Sequence, residues 1–216
     1  MTLLGRPFPL VIAAPSGAGK TSLAHALIER HPEEVMFSIS ATTRPRREEE
    51  SEGRDYYFVT DAEFDRMIES GELIEWATVH GNRYGTPSRG VREGIDAGRV
   101  VVLDIDIQGA RQIRERFDDA VLVFILPPSA AELDRRLTGR GSEGDAERRR
   151  RLAGARTEFS AAAEFDYVVV NEDFESAVET LEAILEAERY RPHRMRELDE
   201  MLHRLDEELG EILERS

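Results

Sequence analysis

The chain has 216 residues, 34% of them charged and 40% hydrophobic, with a formal net charge of −15. That balance describes a soluble globular domain able to bury a sizeable core, and its negative field argues against nucleic acid as a partner. There is no cysteine for a disulfide or thiolate metal site and no run of membrane-spanning length, and Pro7, Pro9 and Pro15 interrupt any leader-like stretch, so the expected location is the cytoplasm.

Of the 29 Lys and Arg residues only Lys20 is lysine. The acid-rich, lysine-poor composition fits a salty cytoplasm and a coding bias equally well. The five histidines show no ligand spacing.

Leu10–Ala14 reads as a short buried strand, and Lys20–Arg30 as a helix with Leu23, Leu27 and Ile28 at helical spacing. Between them runs Ala14-Pro15-Ser16-Gly17-Ala18-Gly19-Lys20-Thr21, followed by Ser22. This approximates G-x-x-x-x-G-K-[ST], with Ala14 in place of the first glycine. In such a loop backbone amides cradle the phosphates of a nucleoside triphosphate. Lys20 reaches the β- and γ-phosphates, and the Thr21 hydroxyl binds Mg²⁺. A compact ammonium suits a tighter site than a planar guanidinium.

Further along, apolar strands alternate with helices, which indicates an α/β fold with a mostly parallel sheet. The expected strands are Met36–Ile39, Val100–Asp104, Val121–Leu126 and Tyr167–Val170. Thr60-Asp61-Ala62-Glu63 and Ser129-Ala130-Ala131-Glu132 match the capping box of a helix start. Residues 41–97 break the rhythm with a strand (Tyr56–Val59), a helix (Asp61–Ser70), a strand (Ile74–His80) and a Gly81-Asn82 turn, a small α+β insertion. Residues 138–157 are rich in glycine and arginine and read as a flexible flap. The fold expected is therefore a P-loop NTPase-type parallel sheet with helices on both faces, formed by residues 1–40, 98–137 and 158–190. To it are added a nucleoside-monophosphate-binding insertion (41–97), a mobile lid (138–157) and a C-terminal helical extension (191–216).

Several residue groups carry chemistry. Arg44 and Arg47, three apart at the mouth of the insertion, can clamp one phosphate, and Tyr56 and Tyr84 can add hydroxyl donors. Asp104 and Asp106 end a buried strand two residues apart, so both side chains are expected on one side, at the carboxyl end where α/β sheets bind ligands.

The run Ser40-Ala41-Thr42-Thr43-Arg44-Pro45-Arg46-Arg47, then Gly53-Arg54-Asp55-Tyr56-Tyr57, Glu75-Trp76, Gly81-Asn82-Arg83-Tyr84-Gly85-Thr86 and Leu103-Asp104-Ile105-Asp106-Ile107-Gln108-Gly109 strongly resembles guanylate kinase over about residues 8–190. The resemblance implies ATP-dependent, Mg²⁺-dependent phosphorylation of GMP, and of dGMP, to the diphosphate. It implies that Arg44, Arg47, Tyr56 and Tyr84 hold the GMP phosphate. Ser40, Glu75, Thr86 and Asp106 then read guanine. A carboxylate accepts from N1–H and N2–H, and such a site rejects a base of the wrong polarity by roughly 10⁴–10⁵. Residues 14–22 hold the ATP phosphates, with Thr21 and, through water, Asp104 on the metal. Lys20 and Arg44 are implied to act in catalysis together with Arg136, Arg140 and Arg151, arginines expected on the flap to close over the triphosphate. Asn171 matches a position near adenine and equally suits a turn. Arg46 and Arg148–Arg150 read as solvated. The family turn Arg-x-Pro-Arg-x-Gly-Glu is altered here: proline sits at Pro45 and Glu49 replaces glycine.

In the tail, Met195, Leu198, Leu202, Leu205, Leu209 and Ile212 are spaced as a heptad seam. It suits a helix docked on its own core or a homodimer. Two rivals to the kinase reading remain at this level: a catalytically silent interaction module, which Lys20-Thr21 opposes, and a kinase for another acceptor, which Glu75 with Ser40 and Thr86 opposes.

Overall fold

A computed structural model describes residues 5–79, 81–138 and 145–215. In chain order its elements begin β1 (Pro9–Ala13), α1 (Lys20–Arg30), β2 (Val35–Phe37), β3 (Ala41–Thr42), β4 (Tyr57–Phe58), α2 (Asp61–Glu69), β5 (Leu73–Val79), β6 (Asn82–Pro87) and α3 (Ser88–Asp96). They continue β7 (Val100–Asp104), α4 (Ile107–Arg116), β8 (Val121–Leu126), α5 (Ala130–Thr138), α6 (Asp145–Glu158), β9 (Tyr167–Val170), α7 (Phe174–Arg189) and α8 (Leu198–Arg215).

The main sheet has the order β2-β7-β1-β8-β9, every neighbouring pair parallel. Its central strands are apolar throughout because both faces are covered. Leu10 and Ile12 of β1 pack with Leu23 and Leu27 of α1 and Val178 and Leu181 of α7. Val11 packs on the other face with Val91 of α3 and Ala110 and Ile113 of α4. This is the α/β architecture expected from the strand pattern. β1 lies between β7 and β8, so the loop after it opens at the switch point of the sheet, where such folds bind ligands.

The second sheet, order β4-β3-β6-β5, lies within residues 41–97. Phe64 of α2, Ala41 and Leu73 form its small core. The Thr60 capping box is complete. At Ser129 only half forms: its hydroxyl accepts from the Glu132 amide, while the Glu132 carboxylate turns to Arg135 and Arg136. β6 was not visible in the sequence, because Asn-Arg-Tyr-Gly-Thr-Pro has no apolar alternation. It forms because β5 pairs with it, and Gly85 fits only without a side chain: a Cβ there would lie within 3.1 Å of Leu73, Phe64 and the Glu75 carbonyl.

The flap expected over 138–157 is, from Asp145, a helix of 14 residues. Arg, Leu and Ala are strong helix formers, and Leu152, Ala155 and Phe159 pack on Leu133 and Leu137 of α5. The tail helix α8 buries none of its residues, so it is not docked on its own core. Met195, the first residue of the expected seam, instead forms an isolated bridge with Gly5. Among the described residues no helix is long and apolar enough to cross a membrane.

Candidate active site

The loop between β1 and α1 turns through Gly17 and Gly19, both at positive φ (91° and 95°). At Gly19 a Cβ would lie 2.4 Å from the Asn171 amide nitrogen, so only glycine fits. α1 starts without a side-chain cap, leaving its first-turn amides for an anion. Residues Ala14–Gly17, Gly19, Thr21 and Ser22 line one cavity, of about 230 Å³, at that helix start, and Lys20 lines it too. Lys20 forms an ion pair with Asp104 and donates to the Ile105 carbonyl at 2.9 Å. Thr21 donates to the other Asp104 oxygen at 2.5 Å. One carboxylate at the end of β7 thus gathers both loop side chains.

Asp106 does not share that chemistry. It caps α4, accepting from the Gly109 amide at 2.8 Å and from Gln108 Nε2 at 2.9 Å. Although the strand ends at Asp104 and the chain turns into a helix, both aspartates line one cleft, on the side the two-residue spacing led one to expect.

A second cavity, of about 260 Å³, adjoins the first. Ser40, Arg47, Tyr56, Glu75 and Tyr84 line it together with Ser16, Lys20, Asp104, Asp106 and Arg151. Glu75 is 3% exposed and accepts from the Thr86 hydroxyl at 2.5 Å. Burial is the main reason its pKa is pushed up to about 7; Thr86 partly offsets this. Gly109 makes room for the carboxylate, since a Cβ would lie 2.3 Å from Glu75 Oε2. Arg44 stands over the Tyr56 ring at 5.5 Å. Burial, then the Asp104 charge, pushes Tyr56 up to about 12, so its hydroxyl stays protonated.

The altered turn is rebuilt around Glu50, which sequence reasoning had not singled out. Glu50 Oε1 accepts from Arg44 at 2.7 Å and Oε2 from the Arg47 amide at 2.8 Å. One carboxylate thus holds the Arg44 guanidinium and the Arg47 backbone, despite Pro45 and Glu49. The signal was its match to the closing glutamate of the family turn.

On the loop's far side two expectations change. Arg136 belongs to α5, not to a flap. It pairs with Glu132 at 2.7 Å and donates to the Ala18 carbonyl at 3.3 Å and the Asn171 carbonyl at 3.0 Å. Asn171 is 4% exposed and its amide donates to the Ala18 carbonyl at 2.8 Å. Both residues therefore brace the loop, and the Asn171 amide is turned inward to the backbone. Arg151 reaches Ser16 Oγ at 3.4 Å from α6. Arg148 is not simply solvated, because it pairs with Asp134 of α5. Arg140 lies outside the described residues.

The guanylate kinase family model matches residues 6–188. The chain belongs to the guanylate kinase family. It is 50% identical over 182 residues to the guanylate kinase of Aromatoleum aromaticum, covering 84% of this chain and 89% of the relative. It is 48% identical over 190 residues to that of Bradyrhizobium diazoefficiens, covering 88% and 86%. The crystal structure of guanylate kinase from Anaplasma phagocytophilum superimposes with a TM-score of 0.79 at 39% identity, covering 93% of this chain and 96% of that one. A guanylate kinase catalyses ATP-dependent phosphorylation of GMP to GDP, and the two adjoining cavities provide room for a donor and an acceptor. The family match ends before α8 begins.

For a metal, the described residues hold no cluster of three His, Cys, Asp or Glu. The Thr21 hydroxyl and Asp104 carboxylate fit Mg²⁺, which is held by few protein oxygens, keeps several waters and takes the rest from substrate phosphates.

Proposed function

We propose that the 230 Å³ cavity binds the phosphates of ATP with Mg²⁺ and that the 260 Å³ cavity binds GMP or dGMP. The observation that carries this is the buried Glu75, bonded by Thr86, in the same cavity as Arg47, Tyr56 and Tyr84, with Lys20 shared between the two cavities. Guanine N1–H and N2–H donate to Glu75, and the Thr86 hydroxyl beneath fixes that carboxylate. Arg44, Arg47, Tyr56 and Tyr84 hold the GMP phosphate, with Glu50 setting the Arg44 guanidinium and the Arg47 backbone. Ser40 and Asp106 border the base.

A GMP phosphate oxygen attacks the γ-phosphorus in line as the bond to the β-bridging oxygen breaks, giving GDP and ADP. Lys20 leaves Asp104 for the β- and γ-phosphates, and Arg136, Arg140 and Arg151 neutralise developing charge and exclude water. Mg²⁺, held by Thr21 and through water by Asp104, supplies charge neutralisation across the phosphates. No side-chain nucleophile is required.

The test is a coupled assay across GMP, dGMP, AMP, UMP and IMP. GMP and dGMP should be the best acceptors. Highest turnover on AMP or UMP overturns the role of Glu75, and no turnover on any acceptor favours a binding module.

The net charge of −15 opposes a nucleic-acid partner, and we place the enzyme in the cytoplasm with its nucleotide substrates. We also propose that α8 pairs with α8 of a second copy, because Leu202, Leu205, Leu209 and Ile212 stay 44–58% exposed along one seam. An antiparallel pair would set Asp206 against Asp206 and Glu208 against Glu208, which charge repulsion disfavours. A parallel pair avoids both contacts.

A further inference from the structure

Glu158 closes α6 and borders the phosphate cavity together with Thr21, Lys20 and Asp106. Its Oε2 is sealed from solvent and has no hydrogen-bond partner. The Glu158 side chain caps no helix. A buried carboxylate oxygen left unpaired loses the hydrogen bonds it made in water. Burial raises its pKa, Asp106 adds to this and Lys20 opposes it. Packing offers no compensation for such a placement, so the group is positioned for something that arrives.

What arrives at this cavity is a polyphosphate. A bare carboxylate facing phosphate oxygens is repulsive unless hydrogen-bond donors and positive charge lie between them. Hydrated Mg²⁺ supplies both, since it keeps most of its waters in such sites. Glu158 also stands two turns after Arg151, hence on the same face of α6, and Arg151 reaches Ser16 of the loop. One helix face thus presents a cation and an anion to the same phosphates.

We infer that Glu158 is a metal-positioning residue, its carboxylate accepting hydrogen bonds from the water shell of the Mg²⁺ that accompanies ATP. This rests on the reading of the loop as the Mg²⁺–ATP site. Glu158 thereby makes the site selective for metal-bound over metal-free ATP, and it couples the seating of α6 to the metal.

Calorimetric titration of ATP with Mg²⁺, and with EDTA instead, tests this on the wild type, Glu158→Gln and Glu158→Asp. The wild type should prefer Mg²⁺–ATP. Glu158→Gln should bind Mg²⁺–ATP more weakly and metal-free ATP more tightly, so that the preference falls about tenfold, the scale of one charge-assisted hydrogen bond. Glu158→Asp keeps the charge but shortens its reach. It should weaken Mg²⁺–ATP alone, and it decides the matter if the Gln variant fails to fold. A merely structural role would shift both affinities together. An unchanged preference in both variants overturns this inference while leaving the Mg²⁺–ATP site standing, as does full Mg²⁺–ATP affinity in Glu158→Gln, which would mark a protonated donor. A wild type that shows no preference for Mg²⁺–ATP overturns the reading of the loop itself.

Discussion

At the scale of the residue, Glu75 is the group proposed to read the acceptor base, and burial sets its chemistry. Its pKa of about 7 lies above the unfolded value of 4.5, so in the folded protein without ligand the protonated form is favoured. That contribution to stability is fully present below pH 4.5 and is lost as pH rises through about 7. The melting temperature of the unliganded enzyme should therefore fall over this window, and Glu75→Gln should abolish that component. Guanine needs the opposite form, because a carboxyl group that keeps its proton cannot accept from both N1–H and N2–H. Lowering the pH from 8 to 6 should raise KM for GMP about tenfold. The Glu75→Gln variant should show only the titration of the GMP phosphate itself. A wild-type KM that is flat across this range would contradict the assignment.

Among elements, the phosphate loop depends on its neighbours. Its Ala18 carbonyl points into the protein and is held by Asn171 after β9 and by Arg136 on α5. Asn171→Ala should cost about 1–3 kcal/mol, since a buried carbonyl loses its better donor. It should also raise KM for ATP without changing KM for GMP. A turn-forming asparagine would leave KM for ATP unchanged, and an adenine contact would leave stability unchanged. Measuring the melting temperature and both KM values separates the three. The capping boxes show the same dependence. Thr60-Glu63 closes completely at an isolated helix start, while Glu132, following Ser129, turns to arginines that serve the loop.

On the scale of the whole molecule, the catalytic body ends where α7 and the buried Glu188–Arg194 pair close against Tyr167 and Phe8. Beyond it α8 extends with an apolar seam and no contact that buries it. Because the chain has no cysteine, Leu205→Cys introduces a unique one on the seam. Parallel pairing brings the two copies of residue 205 together, so mild oxidation should give a covalent dimer on a non-reducing gel. Glu207→Cys, on the outer face, should not. Light scattering on the full chain should report a dimer that Leu205→Asp dissociates. A monomer across the micromolar range would refute the pairing.

Much of this was legible in the sequence, because it rests on local rules. An all-apolar strand, two left-handed glycines and a helix start determine a phosphate loop, and Lys20-Thr21 supplies its chemistry. Arg44, Arg47, Tyr56, Tyr84, Glu75 and Thr86 were recognisable by their order, as was the alternation that makes a parallel sheet. Contacts between segments distant in the chain were not. β6 exists because β5 pairs with it, and the Glu75 carboxylate can be buried because Gly109, thirty-four residues later, leaves it room. Arg136 is a brace because α5 lies beside the loop, and Asp106 is a cap because β7 ends two residues before it. Glu158 carries no sequence signal of its own, and only the folding of α6 brings it to the cavity beside the loop. Strand, loop and helix type follow from residues near one another, whereas burial, pairing and pKa depend on what the fold brings from elsewhere, and only the tertiary structure decided those.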